Sequence, residues 1–271
     1  MHTASFRTPL RTLFISDTHL GMRGARADAL LDFLDTVDPE CIYLVGDIVD
    51  GWKLAKSWYW PPACNRVIQH LLERVRNGAR VIYLPGNHDG FLREFPMLRF
   101  GGIDVRERAI HTGADGGRYL VIHGDQFDVV VRHARWVSWL GDISYNAALR
   151  AAMIANRVLS RLDRPRFSLS AWARANVGKA AALVERFEAA LARAAVEAGV
   201  DGVICGHIHA AAICERDGVR YLNCGDWVEN CTAIAEHGDG RFELIRWAGQ
   251  MVPVGAVGEW EGEDATAAHR F

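Results

Sequence analysis

Leu84-Pro85-Gly86-Asn87-His88-Asp89 closes a short apolar run, Arg80-Val81-Ile82-Tyr83, and the reading of this stretch decides the fold. The run reads as a buried strand. Gly86 permits a sharp turn, so Asn87 and His88 stand at the strand's C-terminal end. In an open α/β sheet, ligands collect at that edge. An asparagine offers a neutral oxygen ligand, and an imidazole offers a ligand atom or a proton. Gly-Asn-His-Asp alone is compatible with a plain turn. The other strand ends of the chain change that reading.

Upstream, Thr12-Leu13-Phe14-Ile15-Ser16 is a continuous apolar strand that delivers Asp17-Thr18-His19. Arg26 to Val37 has helical periodicity and is closed by Pro39. Cys41 to Val45 is a second strand, ending in Gly46-Asp47, and Val67 to Val75 is a second helix stopped by Asn77-Gly78. Strands alternating with helices at this spacing predict parallel βαβ units. Tyr119 to Ile122 is a further strand ending in His123-Gly124-Asp125, after which the chain turns Ala-rich and helical to about Ala198. Gly202 to Cys205 ends in Gly206-His207-Ile208-His209. The strands Val219–Asn223, Thr232–Glu236 and Phe242–Trp247 follow, separated by the turn signals Asp217-Gly218 and Asp239-Gly240. The Gly-rich, acidic tail after Ala248 is expected to be poorly ordered.

The chain has 271 residues, half of them hydrophobic, enough for one large domain or a domain with an insertion. The net charge of −2 points to no partner by itself. Met1 to Leu10 contains no apolar signal region, and no run has the length of a membrane-spanning helix. The cysteines, Cys41, Cys205 and Cys224 among them, sit mostly in strand-like apolar contexts, which is read as a reduced, cytoplasmic protein. There is no fixed-period repeat, no Cys-x-x-Cys zinc pattern and no recognisable DNA- or RNA-binding module, so no nucleic acid is expected as a partner.

Five strand ends thus carry Asp17 with His19, Asp47, Asn87 with His88, His123, and His207 with His209, all expected at one sheet edge. A single histidine at such a place is ordinarily a hydrogen-bonded structural residue, and an aspartate after glycine is ordinarily a cap. Together they form a mixed O/N ligand set suited to Mn²⁺, Fe or Zn²⁺ better than to Mg²⁺ or Ca²⁺. Seven ligands are too many for one ion and right for two that share a carboxylate. Two metals can lower the pKa of a bridging water and clamp the oxygens of an in-line phosphoryl displacement.

These residues resemble the calcineurin-like metallophosphoesterases, whose motif is Asp-x-His, Gly-Asp, Gly-Asn-His-Asp/Glu, His and Gly-His-x-His. Here it reads Asp17-Thr18-His19, Gly46-Asp47, Gly86-Asn87-His88-Asp89, His123 and Gly206-His207-Ile208-His209. The resemblance implies a four-layer α/β/β/α sandwich. It also implies Asp17, His19 and His209 on one divalent metal, and Asn87, His123 and His207 on the other. Asp47 would bridge them. His88 would be the catalytic residue, stabilising the transition state or protonating the leaving oxygen. The domain would comprise residues 1–126 and 199–254, with a helical insertion or lid over 127–198 and a flexible tail over 255–271.

Within that family the chain is similar to the UDP-2,3-diacylglucosamine diphosphatase group of lipid A biosynthesis. Ile15-Ser16-Asp17-Thr18-His19-Leu20-Gly21, Gly46-Asp47-Ile48-Val49-Asp50-Gly51-Trp52 and the entry of His123-Gly124-Asp125 into a helical insertion carry this likeness. It implies hydrolysis of a lipid-linked UDP-sugar to UMP and an acylated sugar 1-phosphate, with Mn²⁺ as the metal. Members of that group carry arginine at the His88 position. Asn223-Cys224-Gly225-Asp226-Trp227-Val228-Glu229 is associated with a paralogous branch. Hydrolysis of another phosphodiester, a nucleotide or a phosphoprotein is the competing enzymatic reading, and a non-catalytic scaffold is the competing reading from another class.

Outside the motif, Asp50 and Asp125 are candidates to orient a ligand histidine or to cap turns. Trp52 opens an aromatic segment through Trp58-Tyr59-Trp60-Pro61-Pro62, read as a loop that either covers the core or touches acyl chains or membrane. His70, His111, His133 and His237 match nothing and are read as structural or exposed. Val131 to Lys179 carries nine basic residues, among them Arg132, Arg135 and Arg157, against Asp142 and Asp163, a net +7. Apolar residues at helical spacing in the same stretch make it a candidate lid. Its arginines would meet substrate phosphates and anionic lipid, with peripheral contact at the inner membrane face.

Overall fold

Successive residues of the first strand face two different cores. In β1 (Thr8–Ile15), Leu13 and Ile15 point to one core and Phe14 to the other. The same division separates Ile42 and Leu44 from Tyr43 and Val45 in β2 (Val37–Val45). It separates Val81 and Tyr83 from Ile82 and Leu84 in β3 (Arg80–Leu84). A strand buried on both faces has no polar side to show, which is why these runs are continuously apolar. The computed structural model describes residues 7–95, 98–127 and 169–254.

The first core lies against α1 (Ala27–Thr36) and α3 (Pro62–Arg76), which bury Leu30, Phe33, Leu34, Val67 and Leu71. The second core lies between two sheets, where Phe14 and Tyr43 meet Tyr119, Val121, Ile204 and Leu222. β4 (Arg99–Phe100) and β5 (Ile103–Val105) end the first sheet. β6 (Ala109–Thr112), β7 (Arg118–Val121), β8 (Gly202–Cys205), β9 (Ala212–Arg216) and β10 (Val219–Asn223) make the second. With β11 (Thr232–Glu236), β12 (Phe242–Trp247) and β13 (Met251–Val254), the first sheet has the order β13-β12-β11-β1-β2-β3-β5-β4. The second has the order β6-β7-β8-β10-β9. The expected α/β sandwich is what the structure shows. β1, β2, β3 and β5 run parallel, as do β7, β8 and β10.

Several boundaries differ from the sequence expectation. β2 begins at Val37 rather than Cys41 and contains Pro39. It pairs with β1 from Thr8 onward but with β3 only from Cys41, so Pro39 lacks a neighbour on one side and its missing N–H leaves no ladder bond unmade. The aromatic segment is not wholly loop, since Gly51–Lys56 forms α2 with Asp50 as its cap. The tail expected to lose order after Ala248 forms β13 on β12.

The chain divides into two compact units, Met1–Asp125 with Ala192–Phe271, and Gln126–Leu191. A long helix, α4 (Leu169–Glu197), crosses that boundary. The proposed lid residues Arg132, Arg135 and Arg157, His133 and the tail 255–271 lie outside the described residues. Among the described residues no helix is long and apolar enough to cross a membrane.

Candidate metal centre

The seven motif residues come from two sheets, not from one sheet edge as expected. The ends of β1, β2 and β3 supply Asp17, His19, Asp47 and Asn87; β7 and β8 supply His123, His207 and His209. Both sets of strands run parallel, so both sheets present their C-terminal ends. The loops interlock through backbone bonds: Asp17 N–H donates to Gly46 O, His19 N–H to Asp47 O, Gly206 N–H to His123 O and Trp227 N–H to Asp17 O.

Such close packing demands special backbone. Among the described residues, seven non-glycine residues have left-handed φ, and five of them are Asp17, His19, Asp47, His207 and His209. Each such residue costs about 1–3 kcal/mol, and such strain gathers at functional sites. Glycine is required beside them. A Cβ on Gly46, at φ +79°, would run into the His123 ring, and one on Gly86 into the Asp47 carboxylate.

Two donor groups are made of motif ligands alone, and a third joins His19, Asp47 and His88. Asp17, His19 and His209 form one, with His209 Nε2 3.2 Å and His19 Nε2 3.8 Å from Asp17 Oδ1. Asp47, His123 and His207 form the other, with His123 Nε2 3.5 Å from Asp47 Oδ2. His19 Nε2 also lies 3.8 Å from Asp47 Oδ2, so this carboxylate belongs to both neighbourhoods. Asp17 Oδ1, His19 Nε2, Asp47 Oδ2, both amide atoms of Asn87 and His123 Nε2 are buried and make no hydrogen bond within the protein. Buried polar atoms are ordinarily paired. A cluster of orphaned oxygen and nitrogen donors fits divalent cations, which would satisfy these lone pairs.

The electrostatics agree. Burial opposes a charge on His19, but Asp17, Asp50 and Asp47 more than offset it and raise its pKa to about 9. Burial likewise opposes a charge on His123, and Asp47 and Asp17 raise it to about 10. Asp17 and Asp47 are held below the usual carboxylate range despite burial, by the imidazoles around them. The carboxylates demand positive charge here, and a bound cation would supply it in place of the imidazole protons.

His88 stands beside this cluster. Its Nδ1 lies 3.0 Å from Asp50 Oδ1, its Nε2 lies 3.9 Å from Asp47 Oδ2, and the Trp52 ring packs on it with centroids 4.2 Å apart. Asp50 also approaches His19 Nδ1 at 3.4 Å and accepts from Lys53 N–H, so it both contacts the two imidazoles and caps α2. Asp125 instead pairs with Arg93 through two hydrogen bonds of 2.8 and 2.7 Å.

Sequence reasoning assigned no role to Asp89. It is fully buried and accepts from Ile48 N–H at 2.7 Å, Gly86 N–H at 2.6 Å and Tyr83 O–H at 2.6 Å, which joins the loops after β2 and β3. Burial and the nearby Asp47 push its pKa up. Its place in Gly-Asn-His-Asp was the available signal. Asn223 does the same on the other side, while Asp226 braces its own turn. Asn223 Nδ2 donates to Gly206 O, and Asp226 accepts from Val228 and Glu229 N–H.

Comparisons with known proteins place the chain in a family. The family model described as Calcineurin-like phosphoesterase matches residues 10–211. The chain is 24% identical over 245 residues to UDP-2,3-diacylglucosamine hydrolase of Haemophilus influenzae (strain PittGG), covering 86% of this chain and 98% of that protein. It is 28% identical over 211 residues to the protein of the same name from Cellvibrio japonicus (strain Ueda107), covering 75% and 83%. Among solved structures it resembles a Vps29 variant from Entamoeba histolytica, with a TM-score of 0.45, 15% identity and coverage of 90% and 98%.

Proposed function

Because the chain belongs to the calcineurin-like phosphoesterase family and is a hydrolase of phosphate ester bonds, we propose that it uses two divalent ions, most simply Mn²⁺ with Fe or Zn²⁺ as alternatives, to cleave a UDP-2,3-diacylglucosamine-type lipid intermediate. The products are UMP and an acylated sugar 1-phosphate. The observation that carries this reading is two donor groups that meet at Asp47, with Asp17 Oδ1, His19 Nε2, Asp47 Oδ2, the Asn87 amide and His123 Nε2 buried without a hydrogen bond.

Asp17, His19 and His209 would hold the first ion and Asn87, His123 and His207 the second, with Asp47 serving both. Such ions would supply a nucleophile at neutral pH and neutralise charge on the phosphoryl oxygens. His88 is assigned to the substrate. Its Nδ1 lies 3.0 Å from Asp50 Oδ1 and its Nε2 3.9 Å from Asp47 Oδ2, from where it can donate to a phosphoryl oxygen or protonate the leaving oxygen. Trp52, half-exposed, packs the ring in place.

The substrate assignment draws on the relatives' names and on surface character. Trp52, Trp58, Phe91, Phe95 and Phe100 are exposed aromatic rings in two segments joined by the Gly51 N–H to His88 O bond. We read them as the parts that meet acyl chains and an anionic membrane face. A second reading, action on other phosphoesters, is favoured by His88 itself: an imidazole can assist poorer leaving groups than a sugar phosphate.

The test is a side-by-side assay of Mn²⁺-loaded protein on UDP-diacylglucosamine, a nucleotide panel and an aryl phosphodiester, with UMP release followed in ¹⁸O water. The lipid should be the preferred substrate, with the label in UMP. Label in the sugar phosphate, or preference for a plain nucleotide, contradicts the assignment.

A further inference from the structure

We propose that Arg93 and Asp125 form a positioning clamp for one of the two metal sites, the one assigned to Asn87, His123 and His207. This rests on the ligand assignment above. Arg93 sits in the 3-10 turn Gly90–Glu94 that follows the motif loop. Its Nη1 donates to Asp125 Oδ2 at 2.8 Å and its Nη2 to Asp125 Oδ1 at 2.7 Å. The same Nη2 donates to Pro85 O at 2.7 Å. Pro85 is two residues before Asn87, and Asp125 is two residues after His123. One planar guanidinium therefore spans the loop after β3 and the loop after β7, which belong to different sheets.

The flanking backbone needs such a tie. Gly124, between His123 and Asp125, has φ +111°, a conformation in which glycine has wide freedom. The His123 ring is anchored at its Nδ1 by Val45 O at 2.9 Å and the His123 carbonyl by Gly206 N–H at 3.1 Å, whereas Asp125, beyond Gly124, takes its restraint from a side chain. Arg93 supplies it with two parallel bonds, a geometry that fixes angle as well as distance. Lysine cannot reproduce the fork.

The pair has a structural role as well. The Arg93 side chain is 32% exposed and lines a cavity of about 650 Å³ with Phe95, Leu98 and Arg106, while Asp125 is buried, so loss of Arg93 strands a buried carboxylate. Holding ligands in place is a different matter: outer contacts of this kind typically change metal affinity by about 10- to 100-fold. The other site, assigned to Asp17, His19 and His209, makes no contact with Arg93 or Asp125 in the hydrogen bonds and ion pairs of the described residues.

The experiment is calorimetric titration of metal-stripped full-length protein with Mn²⁺, with elemental analysis, for wild type, Arg93→Ala, Arg93→Lys and Asp125→Asn. Arg66→Ala, which breaks the exposed Arg66–Asp28 pair at 2.7 Å, is the control. Wild type and Arg66→Ala should bind two ions. Arg93→Ala should weaken one step by about 10- to 100-fold and leave the other unchanged, with Arg93→Lys and Asp125→Asn between. In a His209→Ala background, where the site sensitive to the clamp is the one left intact, Arg93→Ala should remove the remaining high-affinity step. Equal weakening of both steps, or of neither, overturns the clamp. If Arg93→Ala does not fold, the Lys and Asn variants carry the same test. Fewer than two ions on wild type would instead overturn the ligand assignment.

Discussion

β1 carries a buried polar cluster near each end, and the two could hardly be more different. Near its start, Arg11 Nη1 meets Glu236 Oε1 at 2.6 Å, and Glu236 Oε2 lies 2.8 Å from His111 Nε2, with Ala114 N–H donating to the same carboxylate. Past its end, Asp17 and His19 join a cluster whose lone pairs go unanswered. The first cluster lies among residues of ordinary backbone, whereas the second holds five residues in left-handed φ. Both contain a histidine near a fully buried carboxylate. The first ties β1, β11 and β6 together and is complete. The second is strained, and its buried donors without hydrogen bonds fit divalent cations.

The sharpest way to break this contrast is to remove one carboxylate from each cluster. Asp47→Ala should lower phosphodiester hydrolysis by at least about three orders of magnitude, since the carboxylate lies between both donor groups. It should also cost metal content, read by elemental analysis, while Glu236→Gln keeps both. An Asp47→Ala protein that still binds two ions and turns over would sink the division.

His88→Ala comes next. It should reduce turnover by about 10²- to 10⁴-fold with metal content retained. Metal loss in this variant would move His88 into the ligand set, a real alternative because His19, Asp47 and His88 also lie close enough to share an ion.

The clusters should also respond to pH in opposite directions. In the metal-stripped protein His19 and His123 are raised to about 9 and about 10 from an ordinary value of 6.5. Groups raised on folding stabilise fully below the unfolded value, so this contribution fades as pH rises from about 6.5 toward 10. Glu236 is lowered from 4.5 to about 2 because its hydrogen bonds from His111 and others outweigh burial, so its contribution is present above 4.5 and fades as pH falls toward 2. Urea melts across pH should show both limbs. Added Mn²⁺ should remove the alkaline limb, and Glu236→Gln should shrink the acid limb without abolishing it, since Asp17 and Asp47 are also held low, at a neutral-pH cost of about 1–3 kcal/mol. An alkaline limb unmoved by metal would contradict the placement of ions on these imidazoles.

What the sequence made legible follows from the same contrast. Continuous apolar runs ending in Asp or His marked β1, β2, β3, β7 and β8 and the residues beyond them, because strand burial and ligand chemistry are both written locally. The strands at Val219, Thr232 and Phe242 were marked by the Asp-Gly turn signals that separate them. β4, β5 and β13 were not legible: runs of two to four residues carry no period and exist through their pairing partners. Glu236 was invisible as the centre of a cluster because Arg11 lies 225 residues away. Arg93 and Asp89 were invisible in role because their partners sit on other loops, although Asp89 stood inside the motif. Asp125 was a candidate to orient a ligand histidine directly, and its geometry places Arg93 between it and that task.

The central claim, that two ions flank Asp47, is tested most directly by anomalous diffraction from a crystal grown with Mn²⁺. The account predicts two peaks, one against Asp17, His19 and His209 and the other against Asn87, His123 and His207, both in contact with the Asp47 carboxylate. A single peak, or two peaks that bypass Asp47, would contradict it.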